Sequence, residues 1–199
     1  MSTMALIRRR KSPAKKVRAK TSTRKFEIDG KKYSSGALVK YHQELQEYVG
    51  QGLIKSFELP QAGETKRSKF HAFKARINGI EFDSLNESRY YIHVLKAVKA
   101  GTVKSFELQK PFEIVPPHVR SGRKVRKAEY ISDFVLHMAD GSTKVIDVKG
   151  IETDVFKLKK KLVEYLYPDV EIICMHYVAA TKEWLTAKQY KERKKKKVA

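Results

Sequence analysis

Asp133, Asp147 and Lys149 lie in the stretch YISDFVLHMADGSTKVIDVKG, residues 130–150, where each aspartate replaces an apolar residue that would pack better. Strand alternation sets Ile131, Asp133 and Val135 on one face and groups Val145, Asp147 and Lys149. Between them Ala139-Asp140-Gly141-Ser142 carries an Asp-Gly turn signal, so the spacing predicts an antiparallel hairpin in which two carboxylates and an ammonium converge. Aspartate has poor strand propensity and a buried charge needs a partner. The trio is therefore a candidate divalent-metal site, with hard oxygen ligands from Asp133 and Asp147 and with Lys149 beside an attacking water or a phosphate. A surface hairpin whose Asp and Lys face water has the same spacing.

A helix is predicted upstream, over FDSLNESRYYIHVLKAVKAG from Phe82 to Gly101. Ser84 suits its N-cap, Glu87 three residues on completes a capping box, and Gly101 suits the C′ position. Tyr91, Val94, Leu95 and Val98 follow helical spacing. Glu87 is thus either a capping residue or an acid delivered to the same site.

Glu87, Asp133 within SDF, and DVK at Asp147 to Lys149 resemble, in order and setting, the PD-(D/E)xK nuclease superfamily with Asp as the second acid. From about Ser68 to Tyr177, the segments FDSLNESRYY, FELQKPFEI, YISDFVL and VIDVKG are similar to a phage-encoded endonuclease branch of that superfamily. The resemblance implies an α/β (α+β) fold: a restriction-endonuclease-like mixed β-sheet core flanked by helices. It implies a metal-dependent deoxyribonuclease that hydrolyses phosphodiester bonds, with Mg²⁺ as cofactor and Mn²⁺ as a substitute. Asp133 and Asp147 would then bind the metal with the Val148 carbonyl, Glu87 would add a metal or water ligand, and Lys149 would position the nucleophilic water. Branched DNA or a Holliday junction is the leading substrate expectation, which would make the chain a homodimer acting in DNA recombination. The alternative is a catalytically silent DNA-binding or packaging-associated phage protein that keeps the nuclease fold.

The charge agrees with a polyanionic partner. The 199 residues carry a net charge of +21, far more than solubility requires. Residues 1–25 hold ten Lys or Arg and no acid, and KERKKKK at 191–197 adds six positive charges and one negative. Both are expected to be basic disordered tails that give salt-sensitive, sequence-independent DNA affinity. The basic loop VPPHVRSGRKVRKAEY offers Arg120, Arg123, Lys124 and Arg126 to phosphates. Lys157, Lys160 and Lys161, on a helix capped by Thr153 or Asp154 and ended at Tyr167-Pro168, are either further phosphate contacts or an exposed basic face. Lone Cys174 in EIICM reads as a buried strand residue, without a disulfide or Cys-based zinc site. No apolar run reaches membrane-spanning length, and the expected location is cytoplasmic, the host cytoplasm for a phage-encoded protein.

One internal repeat stands out. Asp29 to Pro60 aligns without gaps onto Asn78 to Gln109, sharing the run Lys-Ser-Phe-Glu-Leu in register, which predicts a duplicated helix and strand. Leu38 stands where the second copy has Glu87, so the first copy is not a second active site. The expected organisation is a basic arm over 1–25, a non-catalytic helix-strand repeat over 26–67, a nuclease core over 68–180 and a C-terminal segment with a basic tail over 181–199.

Overall fold

The computed structural model describes residues 26–63, 73–148 and 152–198. The repeat is a complete unit of hairpin, helix and strand. In the first copy, strands β1 (Phe26–Ile28) and β2 (Lys31–Tyr33) flank a turn at Asp29 and Gly30, helix α1 spans Gly36–Gly50, and β3 is Phe57–Glu58. In the second copy, β4 (Ala75–Ile77) and β5 (Ile80–Phe82) flank Asn78 and Gly79, α2 spans Leu85–Lys99, and β6 is Val103–Leu108. Both turns place two consecutive residues at positive φ, at 49° and 70° and at 53° and 80°. Asp-Gly and Asn-Gly adopt that two-residue hairpin geometry readily. Ser35 and Ser84 cap the two helices through their side chains.

The copies use equivalent positions for different chemistry. In the first, buried His42 bonds to the Tyr33 hydroxyl at 2.6 Å and faces the Asp29 carboxylate at 3.3 Å. In the second, Tyr91 stands at the equivalent of His42, meets Asn78 at 3.4 Å, and packs against Phe82 with ring centroids 5.1 Å apart. Each arrangement fastens a turn to its helix. Leu38, Tyr41 and Leu45 of α1 join Tyr90, Tyr91 and Val94 of α2 in one apolar core, and the Tyr41 and Ser88 hydroxyls meet across it at 2.9 Å.

The remaining strands are β7 (Pro111–Val115), β8 (His118–Arg120), β9 (Arg123–Val125), β10 (Ala128–Ile131), β11 (Phe134–Met138), β12 (Thr143–Val148), β13 (Ile172–Val178) and β14 (Glu183–Thr186). Helix α3 is Asp154–Leu166 and α4 is Ala187–Val198. The largest sheet has the order β14-β13-β12-β11-β6. Only β12 and β13 run parallel in it, with α3 in the connection, as a crossover requires. Alternation along β11 and β12 divides the core. Phe134, Leu136, Ile146 and Val148 face the α1 and α2 side, whereas Val135 and Val145 join Phe156 and Val163 of α3. The architecture is mixed α+β, with a central sheet between helical layers.

Three expectations need correction. Residues 130–136 do not form one strand, because β10 pairs with β7 whereas β11 pairs with β6 and β12. The break lies at Ser132 and Asp133, opposite Gln109 at φ 50°. It is tied by the Ser132 amide donating to the Lys110 carbonyl at 3.0 Å and the Gln109 amide donating to the Asp133 carbonyl at 3.2 Å. Alternation does not survive such an irregularity, so Ile131 is 57% exposed while Val135 is 2% exposed.

The basic segment after Val115 is a β8–β9 hairpin, not a loop, turning at Ser121 and Gly122, both at positive φ. The C-terminal basic run is helical, not disordered. It is held by Tyr190 stacked on buried His176 with centroids 4.7 Å apart, and by Arg193 paired with Glu183 at 2.8 Å. The arm over residues 1–25 lies outside the described residues.

Candidate functional site

The predicted hairpin forms: β11 and β12 are antiparallel, with Phe134 opposite Ile146 and Val135 opposite Val145. The turn is closed by the Gly141 amide donating to the Met138 carbonyl at 3.1 Å. Asp133 stands one residue before this ladder and Asp147 one residue beyond its last pair on β12, at the end from which the chain continues to Lys149. Lys149 itself lies outside the described residues.

The acids sit in different environments. Asp147 has no exposed surface, and its Oδ2 accepts a 2.5 Å hydrogen bond from the Tyr130 hydroxyl. Burial first, then the Asp147 charge and its hydrogen bond, with a smaller contribution from Asp133, hold the Tyr130 phenol well above its ordinary value of 10. That hydroxyl is a fixed donor at neutral pH. Asp133 is half-buried, and its Oδ2 accepts from the Val148 amide at 2.6 Å. A charged acceptor on a backbone N–H makes a strong bond. The side chain of Asp133 thus clips the end of β12 where the strand pairing stops.

Glu87 performs the capping function its spacing allows. Its Oε1 accepts from the Ser84 hydroxyl at 2.8 Å and its Oε2 from the Asp83 amide at 3.2 Å, while its own amide donates to Ser84 Oγ at 3.2 Å. It also lines, with Asp133, Phe82 and Leu108, a cleft of about 60 Å³, which is room for water or an ion rather than an organic ligand. Glu87 and Asp133 therefore share a cleft, whereas Asp147 lies beneath Tyr130. Among the described residues, no three His, Cys, Asp or Glu side chains are grouped closely enough to hold a metal.

The predicted DNA contacts fall into two places. Arg120, Arg123 and Lys124 are exposed on the β8–β9 hairpin and Arg126 is exposed just after it, with Arg120 directly opposite Arg123. Like charges facing across a ladder destabilise it, which an anionic partner would relieve. Lys157, Lys160 and Lys161 line a groove of about 680 Å³ between α3 and the start of α4, joined by Lys188 and Lys191. Lys160 is partly committed within the fold, pairing with Glu164 at 2.9 Å and donating to the Ile172 carbonyl. Lys157 pairs with Asp154 at 2.9 Å.

Sequence reasoning missed Tyr130, Lys188 and Lys191. Tyr130 is three residues before Asp133, but a continuous-strand reading directs it away from the acids. Only the break at Ser132 and Asp133 turns it toward Asp147.

The model of one protein family, described as "Protein of unknown function (DUF1064)", matches residues 67–183. The chain belongs to this family. The family segment contains Glu87, Asp133, Asp147, Lys149 and the β8–β9 hairpin, and it starts after the first repeat copy. No curated protein matches the chain.

Proposed function

We propose that the chain is a divalent-metal-dependent DNA endonuclease with a restriction-endonuclease-like core. The observation that carries this reading is that the Asp133 carboxylate, just before β11, accepts from the Val148 amide at the end of β12, next to Asp147 and one residue before Lys149. Mg²⁺ is commonly held by one or two carboxylates with water completing its shell, so two aspartates fit it in kind, Asp133 from the cleft and Asp147 only once its Oδ2 is released by the Tyr130 hydroxyl. Bound there, the ion would supply Lewis-acid polarisation of a phosphate and acidification of a water. The chain's own residues have separable tasks. Asp133 and Asp147 hold charge at the strand ends, Tyr130 fixes the orientation of the Asp147 carboxylate, and Lys149 would neutralise charge on the phosphate. The hairpin arginines and the α3 lysines would bind flanking phosphates.

The test is cleavage of linear and four-way-branched DNA with Mg²⁺ or EDTA. Wild-type protein is expected to cut only with Mg²⁺, and Asp133→Asn and Asp147→Asn to bind DNA with near-normal affinity while losing cleavage. Cutting at the wild-type rate by either variant overturns the assignment. A second reading, a silent DNA-binding member of the same fold, is favoured by the commitment of Glu87 to its capping box and by the burial of Asp147. That reading predicts DNA binding by wild type with no cutting in either metal condition.

A further inference from the structure

Helices α1 and α2 diverge from strands β13 and β14 around a cleft of about 200 Å³, lined by Tyr41, Tyr48, Arg89, Lys96, Tyr177 and Trp184 among others. It lies away from the acids, because Arg89 is two residues after Glu87 on α2 and so points about 200° around the helix from it. The guanidinium of Arg89 sits over the Tyr41 ring at 4.2 Å and near the Tyr177 ring at 5.1 Å. Its Nε is buried without a hydrogen-bond partner among the described residues. Its one side-chain hydrogen bond there is a 3.4 Å contact to the neutral Asn86.

Lys96 lies over the Tyr48 ring at 4.2 Å. Trp184 packs against Tyr177 with centroids 5.0 Å apart. The acid of the cleft, Glu44, is already paired with Lys182 at 2.6 Å. A half-buried cation held between rings without a carboxylate is costly unless an anion completes it.

We infer that this cleft binds one unstacked nucleotide, its base against the tyrosine and tryptophan rings and its phosphate toward Arg89 and Lys96. Aromatic faces with interleaved cations are how proteins hold single-stranded nucleotides, because every base has a π-face to stack. At about 200 Å³ the cleft has room for a ring, since a cavity of about 150 Å³ accommodates a benzene. A base inside a duplex cannot reach such a cleft without leaving its stack, so the ligand is a nucleotide of a single strand or a free mononucleotide. The site also assigns a task to the first repeat copy: α1 supplies Tyr41 and Tyr48, which complete a cleft that α2 alone would leave open. The inference rests on the nucleic-acid reading for its ligand class and not on the acids or on cleavage.

Trp184 is the one tryptophan of the chain, so its fluorescence reports occupancy directly. Full-length protein in EDTA and moderate salt would be titrated with an oligothymidylate, with a blunt duplex of equal length, and with thymidine 5′-monophosphate. The oligothymidylate is expected to quench Trp184 and the mononucleotide to compete. A much tighter half-point for the oligonucleotide identifies a strand as the ligand, and equal half-points identify the free nucleotide. Arg89→Met, and Lys96→Ala at an exposed position, should each weaken quenching about tenfold while leaving duplex binding and the thermal melt near wild type. Equal quenching by duplex without competition, no quenching at all, or unchanged half-points in both variants would overturn the site. Absence of Mg²⁺-dependent cutting would reject the nuclease reading and leave these titrations intact.

Discussion

The Tyr130 hydroxyl holds one oxygen of Asp147, the buried acid of the proposed metal site. A hydrogen bond to a buried carboxylate contributes roughly 1.5–3 kcal/mol, so Tyr130→Phe should lower thermal stability. It should also leave Asp147 Oδ2 more available to a cation. The expected outcome is a larger rise in melting temperature on adding Mg²⁺ for Tyr130→Phe than for wild type, and no rise for Asp147→Asn. Equal shifts in all three proteins would separate Asp147 from metal binding. Glu87 poses the complementary question, because glutamine also serves in a capping box. Glu87→Gln should therefore melt within about 0.5 kcal/mol of wild type. A higher Mg²⁺ requirement for cleavage at unchanged stability would then report a ligand role, and an unchanged requirement would leave Glu87 as a cap.

At the scale of the elements, the docking of α4 involves a titrating group. His176 of β13 is 7% exposed and stacks on Tyr190 of α4. Burial, chiefly, holds its imidazole below the ordinary 6.5, and Lys191 and Lys194 act in the same direction while Glu152 opposes them. Between the folded value and 6.5 the unfolded chain binds protons that the folded chain does not. This contribution to stability is therefore complete above pH 6.5 and declines as pH falls below it. Melting temperature should drop between pH 7.5 and 5.5, and His176→Gln should flatten part of that slope. A variant slope as steep as wild type would remove His176 from the account.

Over the whole molecule, the junction-cutting proposal requires a second chain and therefore a surface for it. The first repeat copy buries its apolar helix face within the chain, with Leu38 and Leu45 at 0% exposure, which leaves little to offer a partner. Helix α3 instead exposes Val155, Leu158, Leu162, Tyr165 and Leu166, a stripe at helical spacing about 120° around the helix from its buried Phe156 and Val163. A chain with one acid pair that cut both strands of a junction would have to act as a pair of chains, and on that proposal this stripe is a candidate contact. Leu158→Glu with Leu162→Lys should convert a dimer into a monomer in sedimentation and abolish paired nicking of a four-way junction. A wild-type monomer that cuts linear duplex as readily as a junction would remove the resolvase reading and leave a more general endonuclease.

Local rules determined much of this protein from its sequence. The Ser84 cap with Glu87, the Thr153 cap of α3, the Asp140-Gly141 turn and the buried strand position of Cys174 follow from interactions within a few residues or from apolar patterning, and each is present in the fold. The repeated Lys-Ser-Phe-Glu-Leu run marked a duplication whose unit also includes a hairpin, and its Asp-Gly and Asn-Gly signals were there to be read. Long-range contacts decided the rest. The break at Ser132 and Asp133 exists because one stretch of chain pairs first with β7 and then with β6, and no local pattern encodes a change of partner. The C-terminal lysine run is a docked helix because His176 receives Tyr190 across the chain. The aromatic and cationic cleft needs α1, α2, β13 and β14 together, residues from Tyr41 to Trp184. Side chains that far apart in sequence acquire a shared chemistry only when packing brings them within a few ångströms.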